Sequence, residues 1–431
     1  MTRARALAVA AAVLAASCAD DGPPAAPTEP SATTTTTSTT TTTTTTSTSS
    51  TTTSTASTTV APTTTTLAPT APRPPLSNAD GANEALSGIA QLFGPSGTCT
   101  AFLVALGPLD GPATALTNGH CVGILDAMTV IVDQPVADMA LRFRLYGDTP
   151  DAVVTVPVTA VAYGSMRTTD VAVLQLGATR GDVQGLASYS LGAPPASGGG
   201  IEVVGVPAAG IEPSEWLLRG GSCTAGATVR LVEWEWLWDA AITNDCAGLL
   251  GGSSGAPLFA GADRAVAVGI LNTTTIGAPP GGACDLGRPC EITAGGIVEE
   301  ADRGYAMPVG AWAACWAPSF DIANDGCPAE QPPVVIVDAP QRDVPPGTTW
   351  AATIANGGPD RPTVVKTGPV STTDCRDPAG YGEPSTDTPR AYDAPLPDAA
   401  DVYVLCAART DADGAPSTAE AGYAVMQVIA G

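Results

Sequence analysis

The first residues that could do chemistry are two adjacent serines in a glycine-rich stretch. Ser253 and Ser254 lie between Gly252 and Gly255 in the segment Gly252–Pro257. A serine hydroxyl becomes a useful nucleophile only when a base removes its proton and backbone N–H groups receive the developing oxyanion. Glycines on both sides allow a tight bend and leave room for a substrate carbonyl. The stretch fits a catalytic loop, and it also fits an ordinary turn.

The only histidine of the chain is His120, in the segment Thr117–Cys121. Imidazole has an unperturbed pKa of about 6.5, so it can take a proton from a serine and return it to a leaving amine near neutral pH. A single histidine can also be a plain core or surface residue. Its sole occurrence and the adjacent cysteine favour the role of general base.

Asp170 is the acidic residue best placed to support this base. It directly precedes the apolar run Val171–Leu174, which predicts a strand that would bury the carboxylate beside a cleft. A carboxylate in this position would hold the imidazole tautomer and offset the imidazolium charge. Aspartates before strands are often turn residues, and Asp148 and Asp151 in a Gly/Pro turn are expected to be solvated.

Together these segments resemble the chymotrypsin/trypsin-like serine proteases, which carry histidine, aspartate and serine in this order. The resemblance extends over about residues 86–317. The family pattern Gly-x-Ser-Gly-x-Pro implies that Ser254 is the nucleophile, with His120 as its base and Asp170 as the partner of the base.

The same pattern implies an oxyanion hole made by the N–H groups of Gly252 and Ser254. Ser253 stands where animal members carry an aspartate that pairs with the N-terminal amine freed by zymogen cleavage. Because that aspartate is absent, we expect the cleft to form on folding, as in bacterial members.

The resemblance also implies the substrate pocket, with Gly248 as its floor, followed by Leu249, and with Asn272, Thr273 and Thr274 as one wall. None of these residues is negatively charged, which disfavours cleavage after lysine or arginine. Glutamate-specific bacterial relatives use a second histidine, and this chain has only one. A small or apolar side chain before the cut is the remaining expectation.

The chain has 11 cysteines, which indicate an oxidising compartment and a disulfide framework. By resemblance, Cys99 pairs with Cys121 and clamps the histidine loop. With Cys18 set aside, the other cysteines can pair sequentially, although sequence alone leaves the connectivity open: Cys223–Cys246, Cys284–Cys290, Cys315–Cys327 and Cys375–Cys406. No metal site and no cofactor is expected, since bridged cysteines and one histidine leave few ligands.

Residues 1–18 have the pattern of an export signal. Arg3 and Arg5 precede the apolar run Ala6–Ala16, which is shorter than the roughly 20 residues that span a bilayer. The ending resembles a bacterial lipobox, which implies lipidation of Cys18, membrane attachment and a place at the cell surface. The leucine lies one position farther from the cysteine than usual, so secretion with ordinary cleavage is the alternative.

A Thr/Ser/Pro-rich linker follows over residues 19–85 and is expected to be a disordered tether, because it has almost no apolar surface to bury. The net charge of −24 reflects 42 acidic against 18 basic residues. Nucleic acid and anionic lipid surfaces are bound by clustered Lys and Arg, so this charge argues against nucleic acid as a partner. A polypeptide substrate is what the resemblance implies instead.

From residue 86 onward, short apolar runs alternate with Gly, Pro and Asp turns, which predicts an all-β protein. For residues 86–328 the resemblance implies two six-stranded antiparallel β-barrels meeting at a cleft, whereas strand counting alone supports a barrel or a sandwich. The predicted strands are 99–106, 113–118, 128–133, 141–146, 152–161 and 171–176, then 201–206, 215–218, 227–238, 240–244, 256–259, 265–272 and 304–308, followed by a short helix over 311–316.

Trp234, Trp236 and Trp238 alternate along one predicted strand, which places three indoles on one face. They could form a substrate or glycan platform, but core packing is the commoner fate of tryptophan.

Residues 329–431 repeat the strand-and-turn pattern and resemble immunoglobulin or fibronectin type III modules, so we expect a small β-sandwich stapled by Cys375–Cys406. It contains no catalytic set of residues and could bind a surface ligand or act as a spacer.

The sequence therefore predicts a surface-tethered serine endopeptidase that works through an acyl-enzyme. The alternative is an inactive, protease-like binding or adhesion module displayed on the cell surface.

Overall fold

The structure, a computed structural model, describes residues 71–94, 97–124, 126–261, 263–278, 282, 284–339, 342–355 and 357–429. The predicted signal peptide, the lipidation site Cys18 and the linker up to residue 70 lie outside these residues. Within the described ranges, no helix is long and apolar enough to cross a bilayer.

Seven antiparallel strands build the first barrel: β1 (Ile89–Gly94), β2 (Gly97–Leu103), β3 (Pro112–Thr117), β4 (Val130–Pro135), β5 (Ala140–Phe143), β6 (Val154–Ser165) and β7 (Val171–Thr179). Strands β6, β5, β1, β2, β3 and β7 pair in this order, and the pairing of β6 with β7 closes a six-stranded ring. The long strand β6 also pairs with β4 through its second half. The interior is filled by apolar side chains such as Phe102, Leu116 and Phe143, all fully buried.

The second barrel follows: β8 (Ser190–Leu191), β9 (Gly200–Gly205), β10 (Arg219–Glu233), β11 (Trp236–Asn244), β12 (Pro257–Ala260), β13 (Val266–Thr274), β14 (Cys290–Thr293), β15 (Gly296–Val298) and β16 (Gly304–Pro308). Strands β10, β11, β16, β13, β12 and β9 pair in order, and β9 returns to β10, so a second six-stranded ring closes. The hairpin β14–β15 extends from β10, and β8 pairs with β13 in parallel. The predicted all-β fold with two barrels is confirmed.

Short 3₁₀ helices connect the strands: Glu84–Leu86, His120–Val122, Pro150–Ala152, Pro213–Glu215 and Gly310–Trp316. The last of them coincides with the predicted terminal helix. The strand predicted over 215–218 is wrong, because Pro213 opens a 3₁₀ turn there and proline cannot donate to a strand ladder.

The chain reverses at Trp234 and Glu235, so the predicted single strand 227–238 is wrong. Trp234 lies at this turn with φ 53° and is 40% exposed. Trp236 and Trp238 lie in β11, are buried, and stack with ring centroids 5.9 Å apart. Core packing is therefore confirmed for two of the three tryptophans.

Residues 71–85, which the sequence assigns to the linker, form part of the fold. Leu76 donates its N–H to the carbonyl of Leu218, and its own carbonyl accepts the N–H of Gly147, both at 2.8 Å. Asn78 donates its N–H to Oδ1 of Asp148 at 2.7 Å. The predicted boundary at residue 85 is therefore too late, because backbone pairing gives this polar segment a fixed place that its composition does not reveal.

The C-terminal region has two sheets. The strands are β17 (Ile336–Val337), β18 (Asp343–Val344), β19 (Ala352–Ile354), β20 (Thr363–Pro369), β21 (Arg390–Tyr392), β22 (Asp401–Thr410) and β23 (Pro416–Val428). One sheet has the order β17-β19-β21 and the other β18-β23-β22-β20. Both contribute to a small core around Trp350 and Leu405. The resemblance to immunoglobulin or fibronectin type III modules remains a prediction.

Five disulfides join the same pairs that sequence order suggests: Cys99–Cys121, Cys223–Cys246, Cys284–Cys290, Cys315–Cys327 and Cys375–Cys406. The first ties β2 to the 3₁₀ helix that starts at His120.

Candidate active site

His120 and Asp170 form a close pair in the first barrel. Nδ1 of His120 lies 2.7 Å from Oδ2 of Asp170, and the backbone N–H of His120 donates to Oδ1 of the same carboxylate at 3.0 Å. Asp170 is fully buried, whereas the side chain of His120 is 25% exposed. Because Nδ1 faces the carboxylate, the opposite ring nitrogen, Nε2, is left for a substrate-side partner.

Local backbone packing brings the two residues together. His120 opens a 3₁₀ helix after β3, and Asp170 comes directly before β7, which pairs with β3. The Nδ2 of Asn118 donates to the carbonyl of Asp170 at 2.8 Å. Position 119 accepts only glycine, since a Cβ there would lie 2.2 Å from the carbonyl oxygen of Ser165.

Two carboxylates influence the base. Burial by itself lowers the pKa of His120, but the charge and hydrogen bond of Asp170, together with the charge of Glu233, outweigh it. The pKa of His120 is therefore raised above its ordinary value of 6.5. Burial also raises the pKa of Glu233 to about 7. The hydrogen bond that the Gly287 N–H donates to this carboxylate, 2.7 Å long, acts in the opposite direction and lowers the pKa.

The loop that carries Ser254 is anchored to the first barrel by Thr100. The N–H of Thr100 donates to the carbonyl of Ser254 at 2.8 Å, and its hydroxyl donates to the carbonyl of Gly252 at 2.9 Å. The same hydroxyl accepts the N–H of Val206 at 2.9 Å. The Sγ of Cys121, next to His120, is 4.0 Å from the Ser254 carbonyl. The serine loop and the histidine helix are therefore neighbours across the two barrels.

The predicted oxyanion donors are unpaired in the described part of the chain. The N–H groups of Ser253 and Gly255 donate to backbone carbonyls, each at 2.9 Å. For the N–H groups of Gly252 and Ser254, no acceptor is found among the described residues. The N–H groups of Gly252 and Ser254 therefore remain available as donors, and an oxyanion hole needs such unengaged donors.

The two serines differ in exposure. Ser253 is buried, with 4% of its surface exposed, whereas Ser254 is half-buried. Within the described ranges the hydroxyl of Ser254 has no hydrogen-bond partner, so it is not joined to His120 in this structure. Such bonds are often long in unliganded enzymes and tighten when substrate binds.

Gly255 fixes the shape of this loop. Its φ is +86°, and a Cβ there would lie 1.9 Å from the carbonyl oxygen of Thr100 and 2.4 Å from Oγ1 of Thr117. We expect Gly255→Ala to lower the free energy of unfolding by about 3 kcal/mol, because strained φ and steric overlap add.

The matched control is Gly210→Ala, which also has a positive φ, +68°, but no atom within 4 Å of the added Cβ. Urea unfolding of both variants separates the two contributions. Equal losses of stability would show that crowding at Gly255 is not the cause.

The predicted pocket floor adjoins a small cavity that holds an arginine from the N-terminal segment. Arg73 shares this cavity with Gly248, Leu249, Ser253 and Arg219. The Nε of Arg73 donates to the carbonyl of Ala247 at 2.9 Å, and a guanidinium nitrogen of Arg219 donates to the carbonyl of Arg73. None of the described residues lining the cavity is acidic.

The predicted pocket wall lies at the end of β13. Asn272 is buried and its Nδ2 has no hydrogen-bond partner among the described residues. Thr273 and Thr274 are half-buried, and Oγ1 of Thr274 donates to the carbonyl of Arg303 at 3.1 Å. Glu233 reaches this wall from β10, and a hydrogen bond from Thr273 lowers the pKa of its carboxylate.

Three residues of this region were not expected from the sequence. Thr100 gives no signal beyond being a polar residue in an apolar strand. Arg73 lies in a segment whose composition predicts a linker. Glu233 could have been suspected as an acidic residue within a largely apolar run, Leu231–Trp238, because buried carboxylates are rare.

The sulfur atoms nearest His120 do not act as metal ligands, since Cys99 and Cys121 are bonded to each other.

Comparison with known proteins gives one sequence family and several similar structures. Residues 99–270 match the sequence model of the trypsin-like peptidase domain. No curated protein sequence matches the chain.

A search of solved structures gives several matches. One is a thermostable serine protease, AL20, from an extremophilic microorganism, with 17% identity, a TM-score of 0.33, and coverage of 52% of this chain and 92% of that one. A second is the scabies mite inactivated protease paralogue S-I1, with 14% identity, a TM-score of 0.34, and coverage of 55% and 95%. A third is the protease Anisep from Arthrobacter nicotinovorans, with 17% identity, a TM-score of 0.32, and coverage of 52% and 90%.

The family match includes the segments that carry His120, Asp170 and Ser254. Together with the two barrels, it shows that this chain contains a trypsin-like peptidase domain.

Proposed function

We propose that the protein is a serine endopeptidase that cleaves peptide bonds with Ser254, His120 and Asp170. The observation that carries this proposal is the bond between Nδ1 of His120 and the buried carboxylate of Asp170, 2.7 Å long, beside the loop of Ser254. This arrangement leaves Nε2 as the free basic nitrogen of the chain's single histidine.

The reaction proceeds in two halves. Ser254 Oγ attacks the substrate carbonyl carbon while its proton passes to Nε2 of His120, and the N–H groups of Gly252 and Ser254 receive the oxyanion. The C–N bond then breaks as His120 gives the proton to the leaving amine, which yields an acyl-enzyme. Water then attacks the acyl carbon while His120 takes its proton, and the N–H groups of the loop again receive the oxyanion. The ester bond to Ser254 breaks as His120 returns the proton to Ser254 Oγ, and the acid product leaves.

For the substrate, we infer a small or apolar side chain before the cleaved bond. Gly248, Leu249, Asn272, Thr273 and Thr274 are uncharged, so nothing in this set attracts a lysine or arginine side chain. Arg73, close to Gly248, adds a positive charge on the same side. A positive charge near the pocket floor repels basic substrate groups.

For location, we propose attachment to the outer face of a membrane through lipidated Cys18, with secretion as the alternative. The support is the apolar run Ala6–Ala16 followed by small residues and Cys18. Partitioning of the expressed protein into a detergent phase tests it, with Cys18→Ser as control. Lipidation predicts that only the wild type enters the detergent, and equal partitioning would overturn it.

A fluorophosphonate probe tests the proposed activity, because it reacts only with an activated serine. Folded wild-type protein should label, whereas heat-unfolded protein and His120→Ala should not. If folded wild type stays unlabelled over a wide pH range, the protein is the alternative, an inactive protease-like binding module.

A further inference from the structure

The C-terminal region is packed against the peptidase domain through one face of its larger sheet. Val402, Val404 and Cys406 on β22, with Tyr423 and Val425 on β23, belong to the same buried cluster as the second-barrel residues Trp236, Leu237 and Trp238. Alternate residues of the same strands, such as Leu405 and Met426, face the region's own core. Because these apolar side chains are buried against those of the second barrel, the two parts are expected to move as one body.

This interface reaches the segment that ends at the candidate catalytic carboxylate. The hydroxyl of Tyr423 donates to the carbonyl of Arg167, three residues before Asp170, and accepts the N–H of Leu237 at 3.0 Å. Tyr423 is 4% exposed, so its hydroxyl has no water to replace these partners. Arg167 is thereby joined to β11 through a residue of the C-terminal region.

The side chains of this segment have partners outside the barrels as well. The guanidinium of Arg167, 2% exposed, donates to the carbonyls of Ala421 and Gln331. Thr168 donates its hydroxyl to the carboxylate of Glu330. From within the peptidase domain, Trp238 donates its indole N–H to the carbonyl of Met166 at 3.1 Å. The residues that immediately precede Asp170 in the chain are therefore held in place largely by residues that follow the peptidase domain.

We propose that the C-terminal region is a built-in part of the active site, in which Tyr423 acts through Arg167 as a positioning residue for Asp170. This inference rests on the proposed function. It assigns the region a role other than that of a spacer: without the Tyr423 hydroxyl, the segment before Asp170 can relax and the carboxylate no longer meets His120 at the geometry that supports the base.

The test uses the full chain with Tyr423→Phe, which removes one oxygen atom. The matched control is Tyr403→Phe, because Tyr403 is 3% exposed, lies in the same sheet with its side chain in the region's own core, and donates its hydroxyl to Ala399 at 3.0 Å. Two readouts are measured: kcat and KM for a peptide substrate, and the pKa of His120 by NMR. The single histidine gives one unambiguous signal, provided that no histidine tag is present.

We expect Tyr423→Phe to lower kcat about tenfold with little change in KM, and to lower the pKa of His120. The charged groups around Tyr423, which are Arg167, Glu330, Glu235 and Arg376, stay unchanged in both variants. Tyr403→Phe should leave both readouts at the wild-type values. If Tyr423→Phe fails to fold, Glu330→Ala provides the second variant, since it removes the hydrogen-bond partner of Thr168, and the Glu330 side chain is 12% exposed.

Two results would overturn the inference: unchanged kcat and His120 pKa in a folded Tyr423→Phe variant, or equal changes in Tyr423→Phe and Tyr403→Phe. The NMR titration needs no turnover. A wild type without activity but with a pKa that responds to Tyr423 would count against the proposed function alone, whereas an active wild type indifferent to Tyr423 would count against this inference alone.

Discussion

Replacing Ser254 with alanine is expected to lower turnover of a peptide substrate by about 10⁴- to 10⁶-fold, since the acyl-enzyme can no longer form. KM should change little, because the pocket residues and the free N–H groups of the loop remain. The residual rate would come from binding and oxyanion stabilisation alone. Steady-state kinetics with a chromogenic peptide measures the effect.

Ser253→Ala is the matched control, since it removes a hydroxyl from the adjacent position of the same loop. Ser253 is buried and lies on the cavity that holds Arg73. This variant should retain turnover within about tenfold of the wild type. A Ser254→Ala protein with near-normal turnover, or a Ser253→Ala protein without it, would contradict the assignment of the nucleophile.

Replacing Asp170 with asparagine should lower kcat by about 10⁴-fold while leaving the fold intact. The amide has a similar shape, but it offers one acceptor instead of two and carries no charge. His120 currently uses both carboxylate oxygens, one for its backbone N–H and one for Nδ1. The Asp170→Asn side chain would leave one of these donors unmatched and would no longer hold the tautomer that exposes a basic Nε2.

The pH profile gives an independent readout of the same change. His120 acts as base when neutral, so wild-type kcat/KM should rise with pH through the pKa of His120, which lies above 6.5. Asp170 is the main influence that raises this pKa, while burial lowers it. In Asp170→Asn the rise should therefore move to lower pH.

Asp182→Asn serves as the control, since Asp182 is an exposed residue beyond the other end of β7. Its profile should match the wild type. If Asp170→Asn shows the wild-type profile and rate, the carboxylate does not support the base.

The sequence was most informative where residue chemistry and local pattern agree. His120 precedes a cysteine in a short loop, and Asp170 precedes a run buried on both faces, so their pairing could be anticipated. Gly255 was recognisable by pattern, and the structure supplies the reason: no side chain fits beside Thr100. At each of these positions a single structural requirement, such as burial or a positive φ, allows very few amino-acid types.

Predictions failed where a regular pattern had two structural solutions. Alternating tryptophans suggest a strand, but the chain turns at Trp234, and the pattern alone does not show a hairpin without Gly or Asn. The strand Ile89–Gly94 is not among those predicted, because it closely follows a low-complexity segment whose end the composition does not mark. Arg73 and Leu76 are held by hydrogen bonds to Ala247 and Leu218. These partners are far away in the sequence, so a local sequence pattern cannot reveal them.

The packing of the C-terminal region against the peptidase domain could have been anticipated from one feature of the sequence. The run Val402–Ala408 is almost wholly apolar, which is typical of a strand buried on both faces. A module joined only by a linker needs just one buried face. The other face of β22 covers the peptidase domain, and the same surface brings Tyr423 to the segment before Asp170.

The most direct measurement of the central claim is to locate the phosphonyl group after labelling with a fluorophosphonate probe, by mass spectrometry of the peptides that cover residues 230–264. A single adduct on Ser254 that disappears in His120→Ala is the expected result. An adduct on Ser253 or elsewhere, or one that persists without His120, would contradict a site in which Ser254 is activated by the pair His120 and Asp170.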